Sequence, residues 1–169
     1  MTPNLSLAQL ATLKAAIQAD GALSAKPMNS DGHQEIADAM NLAAAPDYRI
    51  WRQSITIVEV MQNGFAWDRV DNMTVGQARI WDFMTRTGVV NPSLPNVRAG
   101  VLAAFVQASN AAMRTAIFGH FGRLATRVER LFVSGGTGAV SDDQGVGPAT
   151  AAVYGTLTFQ EVQAARELP

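Results

Sequence analysis

Three observations predict a mainly α fold: a helical bundle with a C-terminal extended arm or hairpin and a short terminal helix. Apolar residues recur at three- and four-residue spacing over most of the chain. Three tetrads, Ser6-Leu7-Ala8-Gln9, Thr74-Val75-Gly76-Gln77 and Thr158-Phe159-Gln160-Glu161, have the capping-box spacing that marks helix starts. Strand-like alternation is concentrated between Pro148 and Phe159, behind a glycine-rich stretch.

The elements follow in order. From Ser6, the residues Leu7, Leu10, Leu13 and Ile17 share one helical face, and Asp20-Gly21 stops the helix. A second helix is expected from Asp31 to Ala44 on Ile36, Met40 and Ala44, ended by Ala45-Pro46. Between Tyr48 and Trp67 the β-branched run Ile55 to Val60 fits a buried strand as well as a short helix. The helix is favoured, ended by Asn63-Gly64. Thr74 starts a helix carrying Val75, Ala78, Trp81 and Phe83 or Met84, stopped at Gly88. Asn91-Pro92 reads as the next start, with Val97, Val101, Leu102 and Phe105 following. The longest helix is expected from Ser109, with a seam of Met113, Ile117, Phe121, Leu124, Val128 and Leu131. Arg123, Arg127 and Arg130 form a second row on it. Gly119 and Gly122 mark a kink or a close backbone approach. Ser134 to Gly147 reads as a flexible loop, and Thr158 caps a terminal helix with Val162 and Ala165 on one side. The organisation expected is a helical body (1–133), a Gly-rich loop (134–147) and an extended arm with its helix (148–169).

Composition narrows the function. Charged residues make up 16% of the 169 residues, against about a quarter in an average domain. A surface poor in charge suits burial against other subunits, and it equally suits an Ala-rich soluble domain. Thirteen basic and fourteen acidic residues give a net charge of −1, which argues against a chain devoted to gripping nucleic-acid phosphates. With no cysteine there is no disulfide framework and no thiolate zinc site. The first residues lack the pattern of a signal peptide, and no apolar run is long enough to span a bilayer. The chain is therefore expected to be soluble, made in a cytoplasm, and without a membrane partner.

Candidate chemical sites are thin. His33 has Asp31, Glu35 and Asp38 near it, but Ala37 occupies the position four residues on, so a solvated helix N-terminus is the simpler reading than a metal site. His120 reads as a packed or partner-facing residue. The glycine loop lacks the Lys-Ser/Thr of a phosphate loop, and its Asp142 and Asp143 would repel phosphate. No calcium-loop spacing follows them. No nucleophile motif is present, so neither a catalytic residue nor a cofactor is expected. Trp51, Trp67 and Trp81 read as core, although Tyr48 to Arg52 also fits an aromatic-cationic patch. The arginine row fits an exposed charged face, carboxylate partners across a subunit boundary, or nucleic acid.

Four segments carry a family likeness: SLAQLATLKAAIQAD (Ser6–Asp20), FAWDRVDNMTVGQARIWDFMTRTGVVNPS (Phe65–Ser93), LATRVERLFVSGGTG (Leu124–Gly138) and GTLTFQEVQAAREL (Gly155–Leu168). In this order they resemble the head–tail connectors of long-tailed bacteriophages, also called adaptor or head-completion proteins. The resemblance implies a structural virion protein of the neck, not an enzyme. It would form a homo-oligomeric ring, usually dodecameric, on the portal protein and below the DNA-filled head. The ring would be followed by a downstream neck or tail-terminator protein, and DNA would pass through without sequence-specific binding. Assembly would take place in the host cytoplasm. In that setting the arm would complete itself on a partner by strand addition. Its anchors would be Val153, Tyr154, Leu157, Phe159 and Val162, with Arg123, Arg127 and Arg130 at the channel or a subunit interface. Alternative readings are a tail terminator or stopper of the neck, and, from another class, a small helical DNA-binding protein or enzyme.

Overall fold

The computed structural model describes residues 5–169. In chain order its elements are α1 (Leu7–Ala19), α2 (Gly21–Ser24), α3 (Ser30–Asn41), β1 (Arg49–Trp51), β2 (Ile55–Thr56), α4 (Ile57–Val60), α5 (Trp67–Asp71), α6 (Val75–Thr85), β3 (Val89–Val90), α7 (Pro95–Ala104), a 3-10 turn (Ala108–Asn110), α8 (Ala111–Phe121), β4 (Gly122–Leu124), α9 (Arg127–Leu131), β5 (Val133–Ser134), β6 (Thr150–Ala151) and α10 (Phe159–Arg166). The fold is mainly α, as expected. Among the described residues the strands are two or three residues long and pair as β1–β4, β2–β3 and β5–β6, with single bridges at Ala43–Thr126 and Ile50–Ala149.

The chain divides into two units, each discontinuous in sequence. Unit 1 takes residues 1–48, 124–134 and 151–169; unit 2 takes 49–123 and 135–150.

Unit 1 is a helical cluster closed by the C-terminal segment. The three expected capping boxes form, two of them here, at Ser6–Gln9 and Thr158–Glu161, and Thr126–Glu129 adds another at the start of α9. Leu10, Leu13 and Ile17 of α1 are buried against Ile36, Ala37 and Met40 of α3, Val128 of α9, and Val162 and Ala165 of α10. Asp20 ends α1 and also accepts from the backbone N–H groups of Ala22 and Leu23, so the stop is the cap of α2.

The last nineteen or so residues, expected as an extended arm, pack on their own unit. Leu157, Val162 and Ala165 lie inside the core, and α10 packs on α1 and α3. The Asn41 amide closes two bonds on Leu157, donating to its carbonyl (2.9 Å) and accepting from its N–H (2.7 Å). The Gly155 N–H donates to Glu129, Arg166 donates to the carbonyls of Lys26 and Pro27, and Lys14 reaches the carbonyls of Leu168 and Pro169. Backbone that reads as unsatisfied in sequence finds side-chain partners 26 to 155 residues away, a pairing that local patterning cannot disclose.

Unit 2 is built on an aromatic core. Trp51, Trp81, Val101, Phe105, Ile117, Phe118 and Phe121 are buried together. Trp81 meets Phe105 edge-on (5.1 Å between centroids) and stacks on Phe65 at 5.8 Å. The ambiguous segment after Tyr48 is strand and helix in turn: β2 pairs antiparallel with β3 (Ile55 to Val90, Thr56 to Val89), and Thr56 then caps α4 through Glu59.

Two further expectations are corrected. The long helix from Ser109 does not exist. It ends at Phe121, the chain extends through β4, and Thr126 starts the separate α9, so the seam from Met113 to Leu131 is divided between the two units. Gly122 marks the break, and an added Cβ there would press on Pro148 at 3.3 Å. The helix expected at Asn91-Pro92 starts three residues later. Asn91 accepts from Ser93 in a turn, and Pro95 takes the first helical position.

The glycine-rich stretch is an ordered loop of unit 2. Thr137 and Gly138 both donate to the Gly147 carbonyl (2.8 and 2.9 Å), and Arg49 and Trp51 exchange backbone bonds with Gly138 and Ala149. Gly145, at φ 71°, takes a conformation that favours glycine and lies on the Phe118 ring, which an added Cβ would crowd at 3.1 Å. Arg114, buried on α8, donates to the carbonyls of Phe105, Gln107 and Asp143 and pairs with the Asp143 carboxylate. A loop read as mobile from composition is held by one arginine that the composition does not flag.

Candidate partner-binding surface

The feature of the described residues best suited to a partner is on unit 2, between α6 and α7. Phase on α6 is set by its N-terminal box, in which the Gln77 side chain accepts from the Thr74 N–H and hydroxyl. Gln77 and Trp81 then face inward. Positions two residues from Trp81 are rotated by about 200°, so Phe83 points outward, as do Arg79 and Val75. The exposed ridge is Val75, Arg79, Phe83 and Arg86, spaced four, four and three residues apart. Phe83 is 77% exposed and Val75 71%.

Beside this ridge runs a groove of about 710 Å³, floored by Met84, Val90 and Val97 and walled by Ile80, Phe83, Val89 and Leu94. Gly100 of α7 leaves room for the Met84 side chain: an added Cβ would overlap its sulfur, and the thioether would have to move. The apolar lining has charge at its edge. Arg86 pairs with Asp82 of its own helix at 2.6 Å, and among the described residues Arg79 has no ion-pair partner. Exposed large apolar side chains gathered at one groove mark an interaction site more often than they mark chance exposure.

The arm anchors named from sequence lie elsewhere and do other work. Leu157 and Val162 are core; Val153 is packed against that core; Tyr154 and Phe159 are half-buried. With their surfaces spent inside unit 1, the two core residues offer no anchor to a second molecule. A cavity of about 300 Å³ lies beside this segment, lined by Leu5, Val128, Tyr154 and Glu161. The arginines do not form a row. Arg123 sits on β4, and the other two sit on α9 and are engaged within unit 1. Arg127 pairs with Asp20 at 2.7 Å, holding that carboxyl below the usual range. Arg130 donates to the carbonyls of Ala45 and Pro46 and lies over the Tyr48 ring at 5.2 Å.

The histidines are likewise placed by packing. His33 is buried on α3, not solvated at a helix end, and among the described residues its Nε2 has no hydrogen-bond partner. Burial first, then the nearby Arg166, lower its pKa, with Glu167 opposing. His120 meets the Gln62 carbonyl at 3.1 Å. Asp142 turns its own loop by accepting from Gln144 and Val146, and Arg114 keeps the Asp143 carboxyl below its usual range. Among the described residues no group of three or more His, Asp or Glu converges as a metal site. Nor, among the described residues, is any single helix long and apolar enough to cross a membrane.

Trp51 and Trp81 are core, as expected, and Arg98 lies over the Trp51 ring at 4.7 Å. Trp67 is 60% exposed, a correction. In the sequence Val75 and Phe83 read with Trp81 as one apolar face, which hides the ridge, although residues two apart on a helix are nearly opposite. The signal was present in the spacing. Comparison with family models, with curated proteins and with solved structures finds no match.

Proposed function

We propose that this chain is a structural virion protein of a long-tailed bacteriophage neck: a head–tail connector. It assembles as a homo-oligomeric ring on the portal protein, joins the DNA-filled head to the downstream neck or tail-terminator protein, and continues the DNA channel. The reading rests on the four-segment resemblance. The observation that carries it in the fold is the open groove of unit 2, where Phe83, Val89 and Leu94 stand exposed around an apolar floor. A chain that works alone has no use for that surface, and one that works by being covered needs it. The mainly helical fold favours an adaptor over a terminator or stopper, which are usually richer in strands. The near-neutral charge is compatible with DNA sliding past without being held.

The attachment device is reassigned. With the C-terminal segment built into unit 1, contact with the portal or a neighbouring copy falls to surfaces outside that segment, the groove of unit 2 first among them. The test is genetic and visual: the virus is grown with this gene interrupted. The expected result is DNA-filled heads and free tails that do not join, with joining restored by added purified protein. Normal tailed particles without it would overturn the proposal.

A further inference from the structure

Unit 2 has an exposed helical ridge with apolar and basic positions, and unit 1 has one with the matching pattern in acid. On α3 and its C-cap, Asp31, Gln34, Asp38 and Leu42 are all exposed, at spacings of three, four and four. On α6, Val75, Arg79, Phe83 and Arg86 stand at four, four and three. Reversed, one spacing is the other. The formal charges follow suit: unit 1 holds five basic and eight acidic residues, a net −3, and unit 2 holds eight and six, a net +2.

We infer that α6 of one copy docks antiparallel on α3 of a second copy, so that Val75 meets Leu42, Arg79 meets Asp38, Phe83 lies over Gln34, and Arg86 meets Asp31. Both helices rise about 1.5 Å per residue, so all four pairs stay in step over about 16 Å. Arg79 faces Asp38, Arg86 faces Asp31 while sharing its charge with Asp82 of its own helix, and the apolar Val75 and Leu42 face each other. At 64% exposure Leu42 is otherwise an uncovered apolar residue at a helix end. Gln34 already donates to Asp38 at 2.8 Å, which fixes that carboxylate on the exposed face. Lys26 pairs with Glu35 on the same helix, leaving Asp31 and Asp38 as the acids in register with Arg86 and Arg79. The contact joins two different patches, so it is head-to-tail, and head-to-tail contacts close into rings when the rotation between copies allows. The inference deepens the neck reading by naming the surfaces between copies, but the contact itself is testable without a virus.

Because the chain has no cysteine, single cysteines report proximity cleanly. Full-length Val75→Cys and Leu42→Cys proteins, mixed under mild oxidation, should form a disulfide-linked dimer at least about tenfold faster than Val75→Cys mixed with Asp31→Cys, which the register sets about 16 Å away. Adding Arg79→Glu to the first partner should slow the link about tenfold, and adding Asp38→Arg to the second should restore it. A chain carrying both cysteines should give a ladder. Equal rates for the two mixtures, Val75→Cys linking to itself as fast as to Leu42→Cys, or a charge swap without rescue would each overturn the contact. Circular dichroism of every variant should match the parent, since all sites are exposed. Normal tailed particles without the gene, alongside the predicted links, would sink the neck reading and leave this contact standing.

Discussion

Unit 1 and unit 2 differ in how they use their apolar surface. Unit 1 is assembled from three stretches of sequence and closes on itself: its C-terminal helix is buried, its loose backbone is bonded by Asn41, Glu129, Arg166 and Lys14, and two of its helix starts are anchored by Thr–Glu boxes. Unit 2 has a complete aromatic core, and it also leaves a phenylalanine, an isoleucine, a valine and a leucine standing in water around one groove. The first arrangement is what a stable platform needs. The second is what a surface awaiting a neighbour looks like. An assembly role therefore assigns a closed core to unit 1 and the open apolar groove to unit 2, while the exposed acidic face of α3 leaves unit 1 a share in contact, and substitutions should separate stability from association.

The largest expected effect comes from removing residues 153–169. Losing the buried Leu157, Val162 and Ala165 should cost about 5 kcal/mol or more, comparable to the whole stability of a small domain. The helical signal of unit 1 should disappear in circular dichroism. If the truncated chain keeps its helicity and its cooperative melt, the closed description of unit 1 fails. Next comes Arg114→Met, which strands the carbonyls of Phe105 and Gln107 and frees the glycine loop. About 3 kcal/mol should be lost in denaturant unfolding, with faster amide exchange from 135 to 149. Asn41→Leu leaves both backbone groups of Leu157 unpaired and should cost about 2 kcal/mol.

The two units also differ in legibility. What could be read locally was right: the boxes at Ser6, Thr74 and Thr158, and the buried faces Leu10-Leu13-Ile17 and Ile36-Met40. What depended on distant partners was not. The tail reads as an arm because Asn41 and Glu129 lie far from it in sequence, and the glycine loop reads as mobile because its anchor, Arg114, is on another element. The false long helix has a different cause. Its seam keeps helical spacing through Phe121, Leu124 and Val128, while the Thr126–Glu129 box that restarts the chain was passed over. The exposed ridge on α6 was legible in principle. Trp81 and Phe83 cannot share a face, and the larger, boxed side goes inward.

A smaller effect sharpens the comparison by pH. The buried His33 has its pKa lowered by desolvation and by Arg166, so the folded state resists a proton that the unfolded chain accepts near pH 6.5. Stability is fully present above that value and should fall as pH drops below it, by no more than about 1.4 kcal/mol per pH unit, until the folded imidazole itself titrates. His33→Phe should flatten that slope in urea titrations between pH 6.5 and pH 5. An unchanged slope would remove His33 as its source.

The smallest stability effect is expected at Phe83, whose ring is 77% exposed. Phe83→Ser should change unfolding by less than about 0.5 kcal/mol while altering association most. Sedimentation equilibrium of the full chain, wild type beside Phe83→Ser over a wide concentration range, is the most direct test. The account predicts that the wild type self-associates and that the variant needs at least about tenfold higher concentration to do so. Identical sedimentation of the two proteins would contradict it.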